Sequence, residues 1–434
     1  MLNLLKSRMT LGLLTLIWGS AALVAYIYGE NYLVLISLGI LAGLLLLPWI
    51  ADYLSPQMAF SMPWIVILLF SGFSISEIHR PIGFLAHAAI FSSLVVYLLV
   101  TGIVGAVEPI KIKKIQFDQE FSSVKSGTIL FVLLGIAAFN VIYSGYIPLV
   151  NILMGASADY LSFGVKSIYG FFNAFANMVG LTFFYLYLTS KKRRYLFFYV
   201  AVIIIFLFLV SRQNILSLLV ESFVVYSLLR ARVKMRKIIL MFTILMVCFG
   251  ALGSLRSGDI KILAKVTPQY MWLPDSVVWG YSYSFFNVLN LDNLTNDPAV
   301  PYHDAQSLDP LMPSFLRTKR EEDRSFLEDD KFTVSSFIFP IYKDGGLPFT
   351  LLLVAIVALV NGLVYRRCIS NPSMRNILIY AVLYFCALLS FFTNFWFYLP
   401  VIAQLPMILA LTWGQNKSQE EADAGAVPVD RVII

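Results

Sequence analysis

Charge is what this 434-residue sequence has least of: Asp, Glu, Lys and Arg make up 13%, about half of what a soluble domain carries. A soluble globular protein is excluded. Disorder fails the opposite test, because it needs low hydrophobicity and high charge, whereas 59% of these residues are hydrophobic and 15% aromatic. Cysteine is scarce as well: Cys248 and Cys386 lie inside apolar runs and Cys368 beside an arginine pair, a spacing that spells out neither a disulfide framework nor a metal site. No nucleotide-binding glycine pattern, metal-ligand cluster or nucleophile elbow occurs, so no metal, no cofactor and no ATP hydrolysis are expected. The net charge of +7 does not mark a nucleic-acid partner, since its lysines and arginines sit between apolar runs rather than on one folded face.

What is present is a succession of apolar runs, each long enough to cross a hydrocarbon core of about 30 Å. They cover residues 9–28, 31–50, 60–77, 84–107, 126–145, 166–189, 195–210, 213–229, 238–253, 346–365, 377–394 and 395–413. The expected fold class is therefore an all-α polytopic membrane protein of about 12 transmembrane helices, with 1–434 forming one integral-membrane domain.

The placement of Lys and Arg tests that count, because in short loops they collect on the cytoplasmic side. With the N-terminus inside, twenty fall on cytoplasmic segments, among them Lys191 to Arg194 and the cluster Arg230, Arg232, Lys234, Arg236 and Lys237. The short outer turns hold only Arg80, Lys166 and Arg212. Dropping one helix would move every later segment to the other side, so an even count with both termini cytoplasmic is expected. The first run lacks a small-x-small cleavage site and reads as an uncleaved span. The tail over 415–434 is small and polar, and reads as disordered.

One long non-apolar segment, 254–345, falls outside. It is far longer than the usual connection between helices, and loops of that length are usually functional. Its aromatic stretch, Trp272, Trp279, Tyr281, Tyr283, Phe285 and Phe286, suits the membrane interface, and Pro298, Pro301, Pro310 and Pro313 break regular structure after it.

Several polar residues stand out against this background. The segment 195–229 has basic clusters at both ends, so it crosses twice with a turn at Ser211-Arg212-Gln213-Asn214. Each half is only about 24 Å of helix at 1.5 Å per residue, which recesses the turn. Ser211 is a good N-cap, leaving Arg212 beside free backbone N–H groups at the positive end of a dipole: an anion site. The plainer alternative is that Arg212 snorkels to lipid headgroups. Glu221, mid-helix, reads first as a structural carboxylate that is protonated or paired. Arg256 and Asp259, in Leu255-Arg-Ser-Gly-Asp-Ile260, come as the chain leaves the ninth run, so Arg212 and Arg256 can converge on one polyanion; the alternative is a surface ion pair worth 1 kcal/mol or less. Asp344, in Tyr342-Lys-Asp-Gly-Gly-Leu-Pro348, is either a cap or turn former or a carboxylate at the outer mouth, placed to accept a proton. His303-Asp304 is a possible base pair, against the common case that adjacent residues face apart. Lys319 to Arg324, with a Lys319–Asp323 helical pair, reads as a solvated face, or else as a phosphate clamp together with Arg317 and Arg320.

The chain resembles the bacterial O-antigen and oligosaccharide repeat-unit polymerases, the Wzy family. The residues that carry the resemblance are the hairpin with Ser211-Arg212 opening a helix, Arg256-Ser-Gly-Asp259 before a large external loop, and Ser335-Ser336 through Tyr342-Lys-Asp-Gly-Gly346 into a helix that reaches Asn361-Gly362; Tyr146-Ile-Pro-Leu149 is similar too. The related ligases usually carry a His ahead of the acid-Gly stretch, where this chain has Ser335, Ser336 and Tyr342. The resemblance implies a metal-independent glycosyltransferase of the membrane-embedded C class in the bacterial inner membrane. Its substrates would be undecaprenyl-diphosphate-linked oligosaccharides at the periplasmic face, where the growing chain moves onto the non-reducing end of an incoming unit. Partners would be membrane lipid, a chain-length regulator and a flippase of the same pathway, not nucleic acid. Arg212, Arg256, Arg317 and Arg320 would bind diphosphate, whose charge develops as it leaves. Asp344 would be the first choice of base in an inverting displacement, with His303 and Asp259 as further catalytic candidates. Trp272, Trp279 and Tyr302 would stack on sugars or anchor at the interface. The rival readings are a lipid-linked glycan flippase, which usually shows two similar halves, and an O-antigen ligase.

Overall fold

The computed structural model describes residues 52–70, 73–106, 123–155, 163–230, 240, 243, 247, 250, 253–254, 258–303, 305–313, 316–317, 325–333 and 335–413. The expected spans 9–28 and 31–50, most of 238–253, the tail, Arg256, Asp304, Arg320 and the run Lys319 to Arg324 lie outside these residues.

The described chain is helical, and its β structure is one isolated bridge, Ser76 to Val266. In order come α1 (Pro56–Phe70), α2 (Phe84–Ala106), α3 (Ser123–Ser144), the short α4 (Pro148–Leu153), α5 (Ile168–Ser190), α6 (Arg193–Phe208) and α7 (Arg212–Leu229). Then follow α8 (Ile260–Leu263), α9 (Asp275–Thr295), a 3-10 turn over Gln306–Leu311, α10 (Ile338–Ser370), α11 (Met374–Leu388), a 3-10 turn over Phe395–Phe397, α12 (Leu399–Ile402) and α13 (Gln404–Leu411). Among the described residues, four helices are long and apolar enough to cross a membrane: Phe84–Ala106, Ser126–Ser144, Ile168–Ser190 and Ile338–Ser370. These make the chain an α-helical membrane protein.

Small residues decide where helices touch. A Cβ on Gly180 of α5 would lie 3.0 Å from Leu218 of α7 and 3.2 Å from Val202 of α6, and one on Gly362 of α10 would lie 3.2 Å from Val104 of α2. Close backbone approach is the usual means by which helices associate where no hydrophobic difference drives them together. Polar pairs add register: Asn361 of α10 donates to the Tyr97 hydroxyl of α2 at 2.7 Å.

Polar contacts gather at the two ends of the bundle. At one end of the bundle Tyr365 bonds Asp52, Arg366 reaches the Val104 carbonyl (3.5 Å) and Arg375 the Thr412 hydroxyl (3.0 Å). At the other, Arg80 bonds Asp292, Asn293 and Glu328. These are the Arg366 end and the Arg80 end.

Two expectations are corrected here. The aromatic stretch of the long segment is not an interfacial belt: Trp279, Tyr281, Phe285 and Phe286 are buried in the core, and only Trp272, 75% exposed, faces outward. They belong to α9, a helix packed against α1, α2 and α10 at the Arg80 end. The tenth helix begins at Ile338, eight residues before the expected start, and kinks at Gly346, whose φ of 65° and ψ of −163° suit glycine alone.

Candidate active site at the Arg80 end

The α6–α7 hairpin turns as expected, and Arg212 is the first residue of α7. Ser211 occupies the N-cap position, but its hydroxyl accepts from the Asn214 amide (2.8 Å) rather than from a helix N–H. Asn214 in turn accepts from Asn177 of α5 at 3.3 Å, so the tip is tied sideways into the bundle. Val210 just before it has a φ of 53°, a conformation a β-branched residue holds only when its surroundings impose it. The guanidinium of Arg212 lies 5.7 Å from the Trp279 ring of α9, within cation–π range. Gly253 makes this approach possible, because a Cβ there would sit 2.7 Å from the Trp279 indole nitrogen and 3.0 Å from Arg212 Nη1.

The next residue, Gln213, hydrogen-bonds the Tyr398 hydroxyl, and Arg317 interacts electrostatically with the same hydroxyl. Arg317 is held by carbonyls: its Nε donates to Met312 O (2.7 Å) and its Nη2 to Pro310 O (3.1 Å). Carbonyls satisfy the donors of a guanidinium without cancelling its charge, and among the described residues no carboxylate pairs with Arg317. Arg317, the first turn of α7 and a phenol therefore meet around Gln213 and Tyr398, while the neighbouring Arg212 lies against Trp279. Such a group of donors binds an anion with several oxygens.

Asp344 is 2% exposed. Its two carboxylate oxygens accept the backbone N–H groups of Gln306 (3.1 Å) and Ser307 (2.8 Å), so it caps the 3-10 turn that leads to Arg317. It is neither the N-cap of its own helix nor an open carboxylate at a mouth. Its backbone carbonyl also accepts from His303 N (2.8 Å), and that of Lys343 from Tyr302 N (3.0 Å). The Lys343 ammonium lies 5.3 Å and 5.4 Å from the Tyr302 and Phe326 ring centres. The Lys-Asp-Gly-Gly stretch is thus a clamp that holds 302–307 in place. His303 stands beside it with an exposed side chain and a φ of 55°.

Asp259 is exposed and caps α8, accepting from Lys261 N at 2.8 Å. Lys261 pairs with Asp275 (3.6 Å) at the start of α9, and Ser254 reaches Asp275 at 3.5 Å, one turn of helix from Trp279.

The structure therefore connects Gln213, Arg317, Asp344 and His303 through short chains of contacts, puts Arg212 one residue away against Trp279, and leaves Asp259 on the flank. Sequence reading missed Gln213, Tyr398 and Gly253. Gly250 and Gly253, three residues apart at the end of an apolar run, were the available signal; a Cβ on Gly250 would lie 2.7 Å from Ser276. Comparisons with protein-family models, with curated proteins and with solved structures found no match.

Proposed function

We propose that this chain is a repeat-unit polymerase of the Wzy type: a metal-independent membrane glycosyltransferase that joins undecaprenyl-diphosphate-linked oligosaccharides in O-antigen synthesis. In this reading about 12 helices span the bacterial inner membrane with both termini cytoplasmic, and the Arg80 end faces the periplasm. The observation that supports it is Arg317 beside the Tyr398 hydroxyl that Gln213 bonds, one residue from Arg212 in the first turn of α7, with Arg317 held by two carbonyls and in no ion pair among the described residues. The departing group is a lipid diphosphate, and fixed cations that meet its developing charge lower the barrier most when they need no rearrangement. The sugar hydroxyl of the incoming unit attacks the anomeric carbon, the bond to diphosphate breaks, and the hydroxyl proton passes to a base. Asp344 is a poor base while both its oxygens hold backbone N–H groups. His303, exposed and fixed through the Asp344 carbonyl, takes that role, and Asp344 positions it.

The test is deletion in the native bacterium with the full-length chain returned on a plasmid. Wild type restores long surface polysaccharide, whereas Arg212→Ala and Arg317→Ala leave single repeat units on the lipid core. Loss of every repeat unit on deletion would point to a ligase or flippase, and unaltered long chains after deletion would refute the assignment.

A further inference from the structure

Glu221 lies in the middle of α7, fully buried, and takes no part in the site above. Its Oε1 accepts from the Ser217 hydroxyl (2.6 Å) and from Nε2 of Gln404 at the start of α13 (3.3 Å). Its Oε2 has no hydrogen-bond partner among the described residues, and neither has Oε1 of Gln404. No ion pair among the described residues involves Glu221. The titratable groups that face it are the Tyr199 hydroxyl from α6 and the Cys386 thiol from α11. From α5 come Asn177 against Asn214 and Gly180 against Leu218, neither of which titrates.

An ionised carboxylate in such surroundings is costly, and it leaves two facing residues each with an acceptor oxygen and no donor to share. One proton supplies that donor. The un-ionised acid gives a hydrogen bond from Oε2 to Oε1 of Gln404 while the amide returns one to Oε1 of Glu221, closing an acid–amide ring.

We propose that Glu221 is carried un-ionised in this ring with Gln404, and that the ring positions the cationic site above it. Gln213–Tyr398 and Glu221–Gln404 fasten the same two segments, α7 and the last helices, at points about 12 Å apart along α7. The lower fastening sets the height and tilt of the chain that carries Tyr398. Ionising Glu221 removes the donor, places an uncompensated charge between α7 and α13, and frees Tyr398 from Gln213. The positioning role rests on the diphosphate reading of the site; the protonation does not.

The experiment uses the full-length protein in lipid nanodiscs, with infrared spectra and the binding of a short-chain prenyl diphosphate measured across pH. Glu221→Gln should remove an un-ionised carboxyl C=O band. Glu221→Ala should weaken binding about tenfold, near 1.4 kcal/mol, while Glu221→Gln, which rebuilds the ring without a proton, should bind within about threefold of wild type and lose the weakening that wild type shows at alkaline pH. Gln404→Leu leaves Glu221 in place and should shift the band, which covers the case in which Glu221→Ala does not fold. If Glu221→Gln removes no such band, the carboxyl is ionised and the proposal is overturned, whether or not diphosphate binds. A band that is present, with Glu221→Ala binding as wild type at every pH, overturns the positioning role. If the wild-type protein binds no diphosphate, the site reading fails and the positioning role with it, and the band still decides the protonation.

Discussion

Two arginines at the same end of the bundle are held in opposite ways. Arg80 bonds Asp292 and lies 3.2 Å from Glu328, and the buried Asp292 also takes the Gly83 N–H (2.8 Å) and the Asn296 amide (3.2 Å). Burial alone would lower the Arg80 pKa, but the two carboxylates outweigh it and hold it above the ordinary arginine value. Arg317 instead rests on the carbonyls of Pro310 and Met312. The first arginine has spent its charge on locking the 78–83 turn to α9. The second is in no ion pair among the described residues, and in the proposed reading its charge serves a ligand. Residue type and end of the bundle are the same in the two cases; what differs among the described residues is the counter-charge.

The sharpest way to break this contrast is to remove each side chain. Arg212→Ala and Arg317→Ala should each cut chain elongation by at least about a hundredfold, the scale of losing one preorganised donor to a leaving anion, with normal amounts of protein in the membrane; elongation assays on matched membranes measure it. Gly253→Leu should come next, with roughly a tenfold loss, because its side chain must push Trp279 away from Arg212; quenching of tryptophan fluorescence by diphosphate would report the displacement. Arg80→Ala should do the reverse of the first pair. It leaves Asp292 buried with an unmatched charge and should cost about 2 kcal/mol of stability, below the 3–5 typical of fully buried pairs because Arg80 is itself 34% exposed. Elongation per folded molecule should be unchanged, and thermal unfolding in detergent reads the difference.

The smallest effect concerns His79, which stacks on Phe285 at 4.6 Å and meets the Tyr281 hydroxyl at 3.2 Å. Burial lowers its pKa below the usual 6.5. As pH falls through that usual value the unfolded chain takes up the proton first, so the stability His79 lends is complete above about 6.5 and drains away below it. Less than about 1 kcal/mol is at stake for a half-exposed ring. His79→Phe should flatten that acid arm of the unfolding profile without touching elongation.

Four long apolar helices and the α6–α7 hairpin were legible because apolar run length and flanking basic clusters are local properties, and the tip fell where those clusters required. Ser211 was read in the correct position with the wrong bond, since the Asn214 amide reaches its hydroxyl first. What escaped was long-range. Arg80 and Asp292 are 212 residues apart and Gln213 and Tyr398 are 185, and no periodicity signals either pair. The aromatics of α9 were misplaced because a helix buried on nearly all sides shows little amphipathic pattern, and its polar residues are consumed inside: Asn287 bonds Phe391 O and Phe392 O, and Asn290 bonds Phe332 O. For Asp344 the sequence left a cap and an open carboxylate both standing, because a carboxylate before two glycines suits either, and its partners, Gln306 and Ser307, lie in a stretch with no regular pattern of its own.

The claim that the carbonyl-held arginine serves a lipid diphosphate is tested most directly with purified full-length protein in nanodiscs supplied with a lipid-linked repeat unit. Wild type and Arg80→Ala should both build chains of several units, and Arg317→Ala should return the single unit unchanged. Chains of normal length from Arg317→Ala would contradict the account.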